Sequence, residues 1–232
     1  PNINTATARV LDAAGIQTLV ADGAGCCGAL RTHLNDVAGG LADMRRNVDA
    51  WWPLVEGLTS AGKVEAIVMN ASGCGVAVKD YGHALAHDAD YAERAARISA
   101  LTRDLSELLG DLVPALKPKL HAPDVTQLAF HPPCTLQHGQ QLRGGVEQHL
   151  GALGFDVSLA VTESHLCCGS AGTYSVLQPE LATQLRDRKL SNLAPLQAQV
   201  IVSANIGCIQ HLQSGTTTPV RHWVEVLDDA LA

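Results

Sequence analysis

Aromatic side chains are scarce: the 232 residues include two Phe, three Tyr and three Trp, 3% in all. Hydrophobic residues still reach 47%. The chain can therefore bury a core, and that core must be aliphatic, built mainly from Leu, Val, Ile and Ala. Basic runs are absent, and 16 Lys and Arg stand against 23 Asp and Glu, a net charge of −7 with His neutral. That balance argues against a nucleic-acid partner. No apolar stretch approaches the ~18 uninterrupted residues expected of a membrane-spanning helix. There is no secretory leader pattern and no starting Met, so the opening Pro1-Asn-Ile-Asn4 reads as a cut through a longer protein.

Cysteine is what the chain does have. Seven occur: Cys26, Cys27, Cys74, Cys134, Cys167, Cys168 and Cys208. The count is odd, and two pairs are adjacent. This argues against a disulfide framework and for metal binding or redox work.

Short continuous apolar runs alternate with amphipathic stretches. Ile16–Ala21, Val64–Met69, Gln127–Phe130, Phe155–Val161 and Val200–Ser203 read as strands covered on both faces. Asn4–Ala14, Leu41–Leu58, Gly75–His87, Ala92–Leu109, Gly144–Leu153, Pro179–Ala194 and His222–Leu231 read as helices. The alternation predicts parallel βαβ units. The segment Leu109–Asp124, with Pro114, Pro118 and Pro123, shows neither periodicity and reads as a linker. The expected fold is α/β, two similar Rossmann-like lobes with mainly parallel sheets: residues 1–112, a linker over 113–124, and residues 125–232.

The two halves repeat each other. The first carries Gly25-Cys-Cys-Gly28 after a strand and Ser72-Gly-Cys74 after the next; the second carries Leu166-Cys-Cys-Gly169 and Ile206-Gly-Cys208 in the same places. Internal duplication of this kind dictates the whole reading. The second half also has Cys134 just after its first strand, 20 residues before Gly154. The matching glycine of the first half is Gly15, and counting back 20 residues runs past Pro1. The first half is therefore expected to lack its opening strand and leading cysteine.

Parallel strands bring their C-terminal ends to one edge, where ligand crevices lie. Cys134, Cys167, Cys168 and Cys208 should converge there, and Cys26, Cys27 and Cys74 should form a poorer three-member version. Thiolates are soft ligands suited to iron–sulfur clusters and zinc. Adjacent cysteines fit one zinc ion badly but can grip two irons of one cluster. Gly169, Gly172 and Gly207 allow the backbone to approach a bulky group. Buried structural cysteine is the plainer alternative, and a duplicated Cys-Cys-Gly speaks against it. Gly23-Ala-Gly-Cys-Cys-Gly28 also matches a dinucleotide fingerprint, but the second repeat keeps the cysteines and loses the glycine spacing. His131, His138 and His165 flank the cysteines. His211, in Cys208-x-x-His211, is the favoured additional neighbour because that spacing shares a helical face. Trp51-Trp52 reads as core packing, and Arg186, Arg188 and Lys189 as a solvated helix face.

These strings resemble the cysteine-rich Cys-Cys-Gly domain family, which includes iron–sulfur subunits of glycolate, lactate and glycerol-3-phosphate oxidoreductases and heterodisulfide reductase. His131-Pro-Pro-Cys-Thr-Leu-Gln-His138, Ser164-His-Leu-Cys-Cys-Gly-Ser-Ala-Gly-Thr-Tyr174, Ala204-Asn-Ile-Gly-Cys208, Val220-Arg-His-Trp223, Ala50-Trp-Trp-Pro53 and Ala71-Ser-Gly-Cys-Gly75 carry the likeness. Within the family the chain is most similar to glycolate oxidase iron–sulfur subunits. The resemblance implies a 4Fe–4S-type cluster on Cys134, Cys167, Cys168 and Cys208, with metal-ligand character for all seven cysteines. It also implies a flavin confined to a partner subunit and a ferredoxin-type domain, for which this sequence has no Cys-x-x-Cys-x-x-Cys run. Electrons from glycolate oxidation to glyoxylate would pass to quinone. The location would be cytoplasmic, peripheral at the inner face of the membrane. The family motif ends in Cys-x-x-Cys; here Ala77 and His211 stand at the last position. No catalytic residue is assigned. A zinc-thiolate domain and a docking scaffold with vestigial cysteines are the alternatives.

Overall fold

The computed structural model describes residues 2–60, 62–121 and 124–231, so Pro1 and Pro123 lie outside the described residues. The fold is α/β with two parallel sheets. Two compact units can be separated, residues 19–69 with 73–105, and residues 1–18 with 70–72 and 106–232. Compactness thus interleaves the chain, a different division from the sequence repeat.

The smaller unit holds strands β1 (Ile67–Met69) and β2 (Thr102–Asp104), paired in parallel with Ile67 opposite Thr102. Its longest helix, Val37–Val55, begins at Asp36, whose carboxylate accepts a hydrogen bond from Gly39 N at 3.0 Å. That satisfies one of the donors a helix start leaves open. The helix turns Gly40, Met44, Asn47, Val48 and Val55 inward, the three- and four-residue spacing of one helical face. Met44, Val48 and Val55 meet Ile67, Val78, Tyr81 and Ile98 in an aliphatic core. Trp51 and Trp52 pack against it, and Trp51 stacks on Tyr81 with ring centroids 6.3 Å apart. The pair is core packing, as the sequence indicated.

The larger unit carries four parallel strands: β3 (Gln127–His131), β4 (Asp156–Leu159), β5 (Val200–Ser203) and β6 (Val220–His222). Their order is β4-β3-β5-β6, with Leu128 opposite Val157 and Val200, and Val202 opposite Arg221. All four residues of β5 are buried, which explains its unbroken Val-Ile-Val run. From β3 the chain goes to one side, to β4, and then crosses to β5 on the other. The topological switch point lies between β3 and β5, and the crevice at their C-terminal ends is the expected ligand position. Helix Asn2–Ala13 packs on Trp223–Asp229 in the same unit, where Arg9 pairs with Asp228.

Several expectations need correction. Ile16–Ala21 forms no strand; Val20 is 93% exposed and Ile16 and Leu19 are each 40% exposed. Its counterpart β4 is hydrogen-bonded to β3, and no described strand offers Ile16–Ala21 such a partner. An apolar run without a neighbouring strand has nowhere to place its backbone hydrogen bonds except water. The linker expected over 113–124 is helical as far as Lys119: Leu105–Leu116 is α-helix despite Pro114, and Lys117–Lys119 a 3₁₀ turn. The single helix expected over Ala92–Leu109 is two, broken by β2. Strands β2 and β6 escaped notice because each has three residues and a central Arg.

Replacing the fully buried Ile98 with Ala should lower stability by about 2–5 kcal/mol in urea unfolding. Val20→Ser should change it by no more than about 0.5 kcal/mol; a large loss at Val20 would mean that this segment is a packed strand after all.

Candidate metal centre

Each Cys-Cys-Gly turn is fixed by its glycine. Gly28 has φ of 85° and Gly169 φ of 93°, the left-handed region that side chains disfavour. A Cβ on Gly28 would lie 2.6 Å from the Gly40 carbonyl oxygen, and one on Gly169 2.4 Å from that of Ala182. Both glycines therefore press against the backbone of the following long helix. This leaves the second cysteine of each pair, Cys27 and Cys168, buried and the first, Cys26 and Cys167, more open.

In the smaller unit the turn is held by neutral polar groups. Asn47, fully buried, accepts from Gly25 N at 2.8 Å and donates to the Cys26 carbonyl at 2.8 Å. It also donates to Tyr81 Oη, and Tyr81 donates to the Cys27 carbonyl at 2.9 Å. Cys27 and Cys74 meet thiol to thiol. The Cys74 thiol donates to Cys27 and holds it near a pKa of about 6, against the opposing effect of burial. Cys74 is driven upward by the same contact, so the two thiols titrate as a coupled pair. Cys26 is exposed.

In the larger unit three loops at the switch point bring four sulfurs together. Cys134 follows β3, Cys167 and Cys168 follow β4, and Cys208 lies in helix Ile206–Gln213 after β5. The thiols form a chain of contacts, Cys134 to Cys167, Cys167 to Cys168, and Cys168 to Cys208. Proton affinity alternates along it. Cys167 is held well below the usual thiol range by Cys134 and then Cys168, with Gly169 N donating to its sulfur at 3.3 Å. Cys208 is lowered chiefly by the Cys168 thiol, while Cys134 and Cys168 are raised. Asn205 also reaches the Cys208 sulfur, at 3.7 Å.

The residue that sequence reasoning underrated is His131. It ends β3, is 1% exposed, and has hydrogen-bond partners on neither ring nitrogen. Its ligating nitrogen and the Cys168 and Cys208 sulfurs lie within 4.8 Å of one another. The available signal was its place at a strand end, three residues before Cys134. A buried imidazole beside two buried thiols is a mixed nitrogen–sulfur donor set of the kind that suits a soft cation. His211, the histidine favoured from spacing, instead has its Nε2 on the Ala182 carbonyl at 3.1 Å. His138 and His165 are exposed, and His138 Nε2 meets the His165 carbonyl at 3.4 Å. Thr135–Gly139, directly after Cys134, is a π-helical turn, a form found often at functional sites. A cleft of about 620 Å³ borders these loops, with Phe130, Leu136 and Leu159 in its wall and Arg143, His138 and His165 among its polar lining.

Lys189 is a further correction. It is 1% exposed, not part of a solvated face, and its Nζ donates to the carbonyls of Glu163 at 2.6 Å and Ser164 at 3.1 Å.

The cysteine-rich domain profile (CCG) matches residues 1–79 and 128–213. The chain is 52% identical, over its full length, to the glycolate oxidase iron–sulfur subunit of Escherichia coli, of which it covers 54%. It is 28% identical over 213 residues to a probable glycolate oxidase iron–sulfur subunit of Bacillus subtilis, covering 91% of this chain and 46% of that one. Lactate utilization protein A of Bacillus subtilis is 24% identical over 237 residues, 98% of this chain and 92% of that protein. The chain thus spans about half the length of the first two relatives.

Two outcomes test the site geometry. Gly169→Ala should cost about 1–3 kcal/mol from backbone strain alone, with more from the Ala182 clash. Gly151→Ala, in a helix with open space around it, should be neutral or stabilising by about 0.5–1 kcal/mol. In metal-free protein, alkylation of the Cys27–Cys74 pair should rise as pH increases through about 6, because the thiolate is the nucleophile. Cys74→Ala should move that midpoint up toward the ordinary thiol value; an unmoved midpoint would show that Cys74 is not the donor.

Proposed function

The chain belongs to the cysteine-rich domain (CCG) family, and from that premise we propose that it is the electron-transferring iron–sulfur part of a glycolate-oxidising complex. The observation that carries this reading is the convergence of Cys134, Cys167, Cys168 and Cys208, with buried His131, at one sheet edge. Soft sulfur donors on a glycine-supported loop, two of them already inclined to ionise, suit a cluster of iron and sulfide. The four thiolates would hold a 4Fe–4S-type cluster, with His131 as a neighbour or ligand. Bound there, the cluster would supply reversible one-electron storage.

The chain's own residues do the rest. Gly169 and Ala182 fix the cysteine pair, Gly169 N donates to the Cys167 sulfur, and Asn205 to that of Cys208. Such hydrogen bonds and burial set a potential. The hydroxy acid would be oxidised on a flavin-bearing partner subunit and the electrons passed on to quinone, with the assembly peripheral at the inner face of the membrane. The names of the first two relatives support glycolate as the substrate class. The smaller unit offers only Cys26, Cys27 and Cys74, and its cluster would be incomplete on these residues.

One observation favours a second reading. His131, Cys168 and Cys208 are close enough for a single ion, and thiolate with imidazole is also a zinc donor set. Iron and acid-labile sulfide analysis of anaerobically purified protein separates the two. The cluster reading expects both elements and visible absorption; zinc alone would be colourless and would overturn it. Cys168→Ser should abolish the cluster's electron paramagnetic resonance signal and electron delivery to quinone, yet leave glycolate-dependent flavin reduction in the partner intact.

A further inference from the structure

The cleft beside the second cysteine site is lined by no cysteine. Its volume, about 620 Å³, falls within the range of about 300–1,000 Å³ usual for small-molecule sites. Part of its lining comes from the two chain segments that lead to the thiols. Leu136, Gln137 and His138 follow Cys134 closely, and Ser164 and His165 precede Cys167. Phe130, Leu136 and Leu159 give the cleft an apolar wall.

Its polar groups are few and held in place. Arg143 donates from Nε to the Gln137 carbonyl at 2.9 Å, and its Nη2 meets His138 Nδ1 at 3.3 Å. A guanidinium only donates, so Nδ1 is the acceptor and the His138 proton sits on Nε2, which meets the His165 carbonyl at 3.4 Å. This relay ties the two segments together beside the cleft. Arg143 is exposed, and among the described residues no carboxylate pairs with it. Its Nη1 group is left to bind something else. The carboxylates in the same lining, Glu107 and Glu147, outnumber it. A carboxylate or phosphate ligand would therefore meet more negative charge than positive. A neutral, flat molecule suits the cleft better, with a carbonyl oxygen on the guanidinium and its ring on the apolar wall.

We propose that this cleft binds the electron acceptor, a quinone: Arg143 Nη1 donates to a ring carbonyl while Phe130, Leu136 and Leu159 pack against the ring. The electron-transfer half of this proposal rests on the cluster reading above; the binding half does not. A quinone becomes a quinol by taking two electrons and two protons. The electrons come from two successive one-electron oxidations of the reduced cluster, and the protons from water at the open mouth. The path between is short, because Leu136 lies two residues after Cys134 and His165 two before Cys167.

Gly145 allows the cleft to be plugged. It lines the cleft, and a Cβ there would meet only His149 Cδ2, at 3.9 Å, an ordinary contact. Gly151, in the same helix with open space around it, lies outside the lining and serves as the control. Duroquinone is the probe, because its fully methylated ring resists addition of the cysteine thiols. Equilibrium dialysis of the metal-free chain under anaerobic conditions should show one saturable site in the wild-type and Gly151→Leu proteins. Affinity should fall about tenfold or more in Gly145→Leu and in Arg143→Gln, the latter matching the loss of a hydrogen bond to a charged group. Leu142→Trp plugs the same cleft should Gly145→Leu fail to fold. No saturable binding by the wild type, or equal affinity in the plugged and control proteins, overturns the proposal. In the metal-loaded complex with its flavin partner, Gly145→Leu should raise the KM for duroquinone with glycolate-dependent flavin reduction unchanged; an unmoved KM also overturns it. Cleft-dependent binding by a protein that purifies without iron refutes the cluster reading alone.

Discussion

Everything at the two cysteine sites depends on one close approach, a glycine pressed against a helix carbonyl. Gly28 meets Gly40 and Gly169 meets Ala182 at distances no side chain would permit, and both glycines need a positive φ besides. The approach settles which cysteine of each pair is buried. It also settles which helix face lies behind the turn, and the next two turns of that face present Asn47 in one unit and Lys189 in the other. Because backbone makes the contact, the turn is placed by the fold and not by a bound ion. A site preorganised in this way spends little of its binding energy on ordering its ligands.

The parallel sheet supplies the other half of the geometry. Its switch point between β3 and β5 brings the loop after β3 beside the helix after β5, so residues 74 positions apart, Cys134 and Cys208, need no chain segment of their own to meet. His131 gains its place by the same logic, as the last residue of β3. Ser203 beside it donates from its hydroxyl to the His131 carbonyl at 2.9 Å, which ties the ends of the two strands together under the thiols.

Much of this was legible in the sequence. Unbroken apolar runs revealed β3, β4 and β5, and the duplicated Cys-Cys-Gly revealed both turns. What escaped depended on partners that a one-dimensional pattern does not contain. Ile16–Ala21 has the composition of a strand, but composition does not provide a neighbouring strand. Lys189 follows two arginines on a polar helix and reads as solvent-facing, yet the helix rotates it inward onto carbonyls. The Cys208-x-x-His211 spacing does put both residues on one helix face, but His211 finds the Ala182 carbonyl before it finds a sulfur. His131 looked ordinary because a lone histidine usually is; its unpartnered nitrogens become visible only when the strands are assembled.

The two sites differ in the charge they can hold. In the smaller unit, contact between Cys27 and Cys74 lowers the first thiol and raises the second, and Cys26 stands open to water. In the larger unit, four thiols alternate between raised and lowered proton affinity, with Cys167 and Cys208 lowered and Cys134 and Cys168 raised by their mutual contacts. Four adjacent thiolates would repel one another in so dry a place, and that repulsion raises the proton affinity of some of them. A metal that took all four sulfurs would have to displace any thiol protons, because only thiolate is a strong ligand. Metal loading at the second site would thereby be coupled to proton release, and the affinity of the thiols for protons would oppose a cation more strongly as pH falls.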